Sequence, residues 1–314
     1  MPHHTLSASP THSLWDNSLA PRLRIASGDE VAIQCTDASG AQVHPGMSVE
    51  QYLAIDRTRI HALTGPIFVE DALPGDVLQI DILSTRHRDW GWSSVIEGLG
   101  FLKDRFRTPH LFHWQLDADR TTSLFPATIP LRPFLGVMGV ARADTGAFRT
   151  RPPGPFGGNL DVRELSAGAT LYLPVFVPGA LFSCGDGHAA QGDGEVCING
   201  IECPLDATLR FRLHKNQPLS SPIVESAPSP APDIAGEWLI VETGPSLEDA
   251  ARAATSRMID LLVARWSLSP HHAYILCSVA MKLRLSQVVN EPIHTVSAAI
   301  SKQILPPRQL FPAA

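Results

Sequence analysis

Alternation of apolar and polar residues is clearest just after the Pro-Gly-Asp sequence at 74–76. Leu78, Ile80 and Ile82 are separated there by single residues, one of them an aspartate. A period of two after a turn signal is typical of a strand that buries one face. Further runs of this kind predict strands at Gly65–Glu70, Thr170–Phe176, Glu195–Ile201 and Ala207–Leu213.

Helical spacing is confined to the region near the C-terminus. Ser246 suits an N-cap, because its side chain and that of Asp249 can satisfy free amides of a first turn. The positions at three- and four-residue spacing that follow predict a packing face: Leu247, Ala250, Ala254, Met258, Leu261 and Leu262. A second helix is predicted to begin after Ser269, with Pro270 at its first position, and to run towards Leu283.

The composition agrees with a chain rich in strands and turns. It contains 23 glycines and 27 prolines in 314 residues, which favours many tight turns and few long helices. The predicted fold is therefore α+β and β-rich, with a sheet-dominated, sandwich-like core and a C-terminal helical hairpin. Within it we distinguish a β-rich catalytic region at 22–216, an exposed Ser/Pro-rich loop at 217–235 and an α+β region at 236–314.

Charge and cysteine content exclude several classes of protein. The net charge of −6 and the lack of a dense basic patch argue against a nucleic-acid partner. The longest apolar stretches contain Pro and Gly and are shorter than the ~20 residues that cross a bilayer, so no membrane partner is expected. The first twenty residues lack the pattern of a secretory signal, and five cysteines without paired spacing suit reduced thiols. We therefore expect a cytoplasmic protein.

Polar chemistry concentrates in two glycine-rich segments. In the first, Asn159 and Asp161 would project from one face if the segment is extended. The second, 185–195, holds three carboxylates, an imidazole and an amide among four glycines. A hairpin turning at its centre would place Asp186 and His188 on one strand and two further acids on the next, so that four polar groups converge.

Three interpretations of this cluster follow from the residue types. His and Asp side chains are ligands for a divalent ion such as zinc, which lowers the pKa of bound water and polarises a carbonyl. Alternatively, a glutamate or the histidine acts as general base without a metal. The third interpretation is a polar turn that caps its own backbone groups. Cys184, next to the cluster, fits a buried thiol better than a nucleophile.

Taken together, several motifs resemble the acetamidase/formamidase family over roughly Arg24 to Leu305. The matching stretches are His61–Glu70, Pro74–Leu78, Gly157–Asp161, Leu171–Ser183, Gly185–Glu195, Ala273–Tyr274 and Leu285–Val289. The resemblance implies that 1–314 forms a single unit of this family. It also implies an amidohydrolase that converts a small amide, such as formamide or acetamide, to carboxylate and ammonia, and a homo-oligomer.

The resemblance also implies that hydrolysis proceeds by metal-assisted attack of water, and it implies roles for individual residues in that reaction. The candidate metal ligands, for a divalent ion and most plausibly zinc, are Asp161, Asp186 and His188. The candidate catalytic residues are Glu195, Asp193, His188 and Gln191, with Glu195 as base, and the candidate substrate-binding residues are Asn159, His61 and Thr64.

Two alternatives remain open at this point. Some relatives act on cyclic amides, so a γ-lactam hydrolase is one. The other is a catalytically silent relative that binds a small molecule, because the sequence departs from the family pattern at Phe156, Gly187 and Met281. Further departures at Cys197–Glu202 and at Asn290, where the family often has an acid, leave the identity of the substrate open.

Overall fold

The computed structural model describes residues 2–228 and 236–311. In the first part of the chain the strands are β1 (His3–Leu6), β2 (Leu14–Asp16), β3 (Leu23–Ile25), β4 (Glu30–Cys35), β5 (Leu63–Val69), β6 (Val77–His87), β7 (Trp90–Val95), β8 (His110–Gln115), β9 (Arg120–Thr121) and β10 (Ile129–Pro130). They continue with β11 (Phe134–Gly139), β12 (Ala147–Arg149), β13 (Gly157–Asn159), β14 (Thr170–Pro174), β15 (Phe182–His188), β16 (Leu205–His214), β17 (Ile223–Glu225), β18 (Glu237–Gly244), β19 (Lys282–Gln287) and β20 (His294–Ser301). The α-helices are α1 (Val49–Leu53), α2 (Leu247–Trp266) and α3 (Pro270–Ala280), and short 3-10 turns cover Arg57–Arg59 and Lys302–Ile304.

A nine-stranded sheet in the order β1-β4-β16-β6-β14-β17-β18-β20-β19 forms the centre of the fold. Its longest ladder joins β16 to β6 in antiparallel register, with Phe211 opposite Ile80. Buried and half-buried residues alternate along most of β16, as the period of two requires. The sheet takes strands from both sides of the segment 217–235.

A five-stranded sheet, in the order β13-β11-β15-β5-β3, packs against one face of the nine-stranded sheet. Apolar side chains from both sheets form one core between them; the rings of Phe182 on β15 and Phe211 on β16, for example, lie 5.2 Å apart. This packing confirms the predicted β-rich, sandwich-like core.

Helices α2 and α3 cover the other face of the nine-stranded sheet, where a second apolar core forms. The Ser246 side chain accepts a hydrogen bond from the Asp249 amide, and Pro270 stands in the first turn of α3, as predicted. The predicted packing face of α2 is confirmed, because Ala254 and Met258 are fully buried. Helix α3 ends earlier than predicted, and Leu283 belongs to the edge strand β19.

Other sequence predictions were wrong. The run 195–201 forms turns instead of a strand, because Glu195 and Ile198 adopt left-handed backbone angles that interrupt an extended chain. The predicted hairpin over 185–195 therefore lacks its second strand. The predicted exposed loop 217–235 contains strand β17, which pairs with β14 and β18 and buries Val224; residues 229–235 lie outside the described residues.

No helix in the described ranges is long and apolar enough to cross a membrane. All five cysteines are free, in line with the predicted reduced thiols. Cys184 is buried with its Sγ 3.9 Å from that of Cys35, and burial raises its pKa well above the usual range. A buried thiol of this kind stays protonated, so it suits packing and not nucleophilic attack.

Candidate active site

Strand β15 carries two residues of the predicted cluster, Asp186 and His188. It lies between β11 and β5, and Asp186 interrupts its regular pairing with a left-handed φ of 58°. Gly136 of β11 lies opposite Asp186, where the pairing of the two strands is interrupted. A Cβ at that position would lie 2.8 Å from Asp161 Oδ1 and 3.0 Å from Asp186 Oδ2, so the two carboxylates occupy the space that a side chain would need.

Four buried carboxylates surround the imidazole of His188. Its Nε2 lies 3.5 Å from Asp186 Oδ1 and 3.2 Å from Glu202 Oε1. Ligand atoms of Asp161, Asp186 and His188 all lie within 4.8 Å of one another, and the same holds for His188, Glu195 and Glu202. The structure thus brings together the three predicted metal ligands and the predicted base.

The other ring nitrogen of His188 is held by Gln191. Nδ1 lies 2.7 Å from Gln191 Oε1, while Gln191 Nε2 donates to the backbone carbonyl of Asp161 across 2.9 Å. Since that donation orients the amide with its oxygen towards the ring, Nδ1 must be the donor. Gln191 therefore links the ring to the Asp161 backbone and sets the orientation of the imidazole.

Burial and mutual repulsion change the acidity of these groups. Burial raises the pKa of Asp161 to about 7 and that of Glu202 to about 8. Burial, followed by the charge of Asp161, raises the pKa of Glu195 well above its usual range. Burial is the largest effect on Asp186 and acts to raise its pKa, but the charges of His188 and His61 and the hydrogen bonds to Asp186 together outweigh burial and lower the value to about 2. Asp186 thus stays ionised, whereas the other three carboxylates bind a proton more readily than free acids do.

The imidazole responds in the opposite sense. Burial disfavours the charged ring of His188, but the negative charges of Glu202 and Asp186 outweigh burial and raise its pKa well above the usual value. A site with four carboxylates and one imidazole needs positive charge to be stable when ionised. Protons supply that charge, or a bound cation does.

The donor atoms fit a divalent cation. Four of them have no hydrogen-bond partner within residues 2–228 and 236–311, although all are buried: Asp161 Oδ1, Asp186 Oδ1, His188 Nε2 and Glu202 Oε2. Carboxylate oxygens together with an imidazole nitrogen are a common donor set for zinc and other divalent ions. A histidine ligand usually donates its second N–H to a fixed acceptor, as His188 does to Gln191.

A cavity of about 950 Å³ reaches the cluster. Asp186, Glu195 and Glu202 line its wall, together with the predicted substrate-binding residues Asn159 and His61. The side-chain oxygen of Asn159 and Nδ1 of His61 are buried without hydrogen-bond partners in the described part of the chain. Both groups are therefore available to a substrate.

Two predicted site residues lie elsewhere. Asp193 turns away from the cluster and pairs with Arg163, and the distance from Asp193 Oδ1 to Arg163 Nε is 2.8 Å. The Asp193 side chain is 41% exposed. Thr64 is fully buried on β5, and its hydroxyl donates to the backbone carbonyl of Gln34 across 2.8 Å. It is not among the residues that line the cavity.

Sequence reasoning missed two residues of the cluster. Glu202 comes to His188 through a backbone bridge between the two residues, which joins the chain after the glycine-rich segment to β15. Asn290, from the turn after β19, donates to Asp161 Oδ2 across 2.7 Å. In the sequence, Glu202 and Asn290 stood out only as departures from the family pattern, and neither was predicted to be a site residue.

The departures at Phe156, Gly187 and Met281 do not line the cavity, whereas those at Ile198, Asn199, Glu202 and Asn290 do. Phe156 packs edge-on against Trp15, with the ring centres 5.3 Å apart. Gly187 lies on β15 where a Cβ would stand 2.5 Å from Leu205 Cβ, so a larger residue there would require the neighbouring strand to move. Met281 follows the last residue of α3. These positions leave the cluster itself intact.

The chain is similar to known amidases in sequence and in fold. The sequence profile of the Acetamidase/Formamidase family matches residues 3–145 and 140–306. A formamidase of Methylophilus methylotrophus is 28% identical over 301 residues, covering 77% of this chain and 73% of the relative. The crystal structure of an acetamidase from Bacillus halodurans is 32% identical, with a TM-score of 0.88 over 96% of this chain and 98% of its own. A recombinant predicted acetamidase/formamidase from Thermoanaerobacter tengcongensis is 29% identical, with a TM-score of 0.88 and 96% coverage of both chains.

Because the family profile spans most of the chain, the protein belongs to the acetamidase/formamidase family. This confirms the resemblance seen in the sequence motifs.

Proposed function

We propose that the chain hydrolyses the carbon–nitrogen bond of a small linear amide, giving a carboxylate and ammonia, by attack of water in a metal-assisted site. The observation that carries this proposal is the set of buried carboxylates around His188 at the wall of the cavity. Membership of the family makes the chain a hydrolase of carbon–nitrogen bonds other than peptide bonds, and relatives are named formamidase and acetamidase.

Asp161, Asp186 and His188 would hold a divalent ion, and we propose zinc because an imidazole and carboxylates are among its usual ligands. When bound, such an ion polarises the amide carbonyl and lowers the pKa of water. Asn290 and Gln191 support this ligand set, since one donates to the Asp161 carboxylate and the other orients His188. The contact between Asn290 and Asp161 is buried and that between Gln191 and His188 is part-buried, which favours a fixed geometry.

Glu195 is the proposed general base. It lines the cavity, and burial together with the Asp161 charge raises its pKa above the usual range, which makes the carboxylate a stronger proton acceptor than a free glutamate. It would take a proton from the attacking water and deliver it to the departing nitrogen. The unpaired oxygen of Asn159 would accept a hydrogen bond from the amide N–H, and His61, which lines the same cavity, would contact the substrate.

Ammonia release tests the proposal directly. We would assay the full-length chain with formamide, acetamide, longer linear amides and γ-lactam, with metal content measured, and repeat the assay after chelation and after adding zinc. Linear-amide activity that disappears with chelation and returns with zinc supports the proposal. Activity that survives complete metal removal contradicts the role of the ion. Activity only on γ-lactam, or none with the metal-loaded protein, contradicts linear-amide hydrolysis.

We also propose a homo-oligomer in the cytoplasm. Exposed apolar side chains on α3 and the edge strand β19, among them Tyr274, Val279 and Leu283, support a contact between copies. The free cysteines support a reducing compartment. Light scattering coupled to size-exclusion chromatography tests the first statement, since a monomer at micromolar concentration would contradict it.

A further inference from the structure

The cavity is larger than acetamide needs. Its volume is about 950 Å³. A water molecule takes about 30 Å³ of liquid, so the four heavy atoms of acetamide fill on the order of 100 Å³ at similar density. Pockets of roughly 300–1,000 Å³ usually enclose ligands of many more atoms. The space beyond the scissile bond therefore fits a longer substrate.

The chemistry of the lining changes between the buried cluster and the more exposed part of the cavity. The deep wall carries the acids Asp186, Glu195 and Glu202. More exposed lining residues include the arginines Arg149 and Arg151. A substrate bound at the buried acids thus shares the cavity with positively charged side chains, and Arg151 is near enough to Glu195 and Glu291 to be affected by their charges.

Arg151 is half-buried and lacks a partner. It makes no hydrogen bond or ion pair with any residue in 2–228 or 236–311, whereas Arg57, which also lines the cavity, donates to the Tyr52 carbonyl across 3.1 Å and lies over its ring. Burial, followed by the charge of Arg149, lowers the pKa of Arg151. A carboxylate would supply the two acceptors that a planar guanidinium matches.

Apolar side chains also line the cavity, including Trp92, Ile96, Leu99 and Ile198. Such a surface suits hydrocarbon and offers no partner for a charged group. A substrate that combines polar groups with a hydrocarbon part therefore matches the residue types of the lining.

We propose that the substrate is the monoamide of a dicarboxylic acid, with its amide at the carboxylate cluster and its free carboxylate bound by Arg151. The proposal rests on the amide hydrolysis proposed above and specifies its substrate class. Hydrolysis would add one water across the amide bond and release ammonia and the dicarboxylate.

Three amides of similar length test this specificity: glutaramate, which ends in a carboxylate, neutral pentanamide, and cationic 5-aminopentanamide. We expect kcat/KM for glutaramate to exceed that for pentanamide by about 10–100-fold, as a charge-assisted bidentate contact allows. The cationic amide should be the poorest substrate. Equal or better hydrolysis of pentanamide would overturn the proposal while leaving amide hydrolysis in place.

The variant Arg151→Gln should reduce the ratio of glutaramate to pentanamide kcat/KM by about 10–100-fold, and Arg151→Lys should restore part of it. Arg252→Gln, on the exposed surface of α2, is the matched control and should keep the wild-type ratio. An unchanged ratio of glutaramate to pentanamide kcat/KM in Arg151→Gln would overturn the proposal. Circular dichroism checks that the variants are folded.

A binding measurement separates this proposal from the proposed function. Titration calorimetry with glutarate, the expected product, needs no turnover. Glutarate that binds the metal-loaded wild type and binds Arg151→Gln at least tenfold more weakly supports the carboxylate site, even if no amide is hydrolysed. Glutarate binding that is absent, or equal in the two proteins, overturns it.

Discussion

The imidazole Nδ1 of His188 donates a hydrogen bond to Oε1 of Gln191 across 2.7 Å. The other nitrogen, Nε2, then faces the carboxylates of Asp186 and Glu202. In a neutral imidazole with its proton on Nδ1, Nε2 carries a lone pair. Gln191 therefore selects the tautomer of His188 whose Nε2 can bind a cation, although Gln191 itself does not face the carboxylates.

Gln191→Leu should weaken zinc binding by about 10–100-fold, because the ring loses the acceptor that fixes its orientation. Competition with a fluorescent chelator on metal-free protein measures the change. Gln309→Leu, at an exposed position, serves as control and should bind zinc as the wild type does. Equal affinities for the wild type and Gln191→Leu would show that the ring is held by other contacts.

Gly136→Ala should lower kcat by about 100-fold, since a Cβ would lie 2.8 Å from Asp161 Oδ1 and force the carboxylates to move. Gly192→Ala is a matched control, because nothing lies within 4 Å of a Cβ at that position. Steady-state kinetics and thermal melting of both variants check the prediction. Comparable activity in the two would mean that the cluster tolerates displacement.

Glu195→Gln should lower kcat by about 10²–10⁴-fold with the fold retained, because the amide cannot accept a proton from water. Asp193→Asn should have a much smaller effect, since Asp193 pairs with Arg163 away from the cluster. Ammonia release and circular dichroism on both variants test this contrast. If Asp193→Asn is the more damaging change, the assignment of the base is wrong.

Asp76→Asn should destabilise the fold by about 1–3 kcal/mol at pH 7, since the carboxylate accepts hydrogen bonds from the Leu73 and Asn216 amides and from Lys215. Burial acts to raise its pKa, but these contacts outweigh burial and lower it below 3.8. A depressed folded pKa stabilises the protein above the unfolded pKa, and this contribution is lost as pH falls through the folded value.

Urea unfolding at pH 7 and at pH 3 measures the dependence on Asp76. The difference between wild type and variant should be present at pH 7 and smaller at pH 3. Asp71→Asn, on the exposed part of the same loop, is the control and should remain close to wild type at both values. A difference that grows on acidification would reverse the expected sign.

Local patterns were sufficient for much of the fold. The alternation around Leu78 and Ile80 predicts a strand with one buried face, and strand β6 lies at the predicted position. Ser246 begins α2 because a cap needs only the first turn of the helix. The strand predicted at 195–201 failed because left-handed backbone angles at Glu195 and Ile198 depend on contacts outside the segment.

The sheet-rich fold, the helical hairpin and a cluster containing Asp186, His188 and Glu195 could be predicted from the amino-acid sequence, because each depends on short stretches of chain. That Glu202 joins the cluster and that Asp193 lies away from it depends on how distant segments pack. Backbone pairing of the distant residues Gly194 and Gln287 replaces the predicted second strand next to Glu195. Such pairings arise when two packed sheets bring remote segments together, and burial, which raises carboxylate pKa values, follows from that packing.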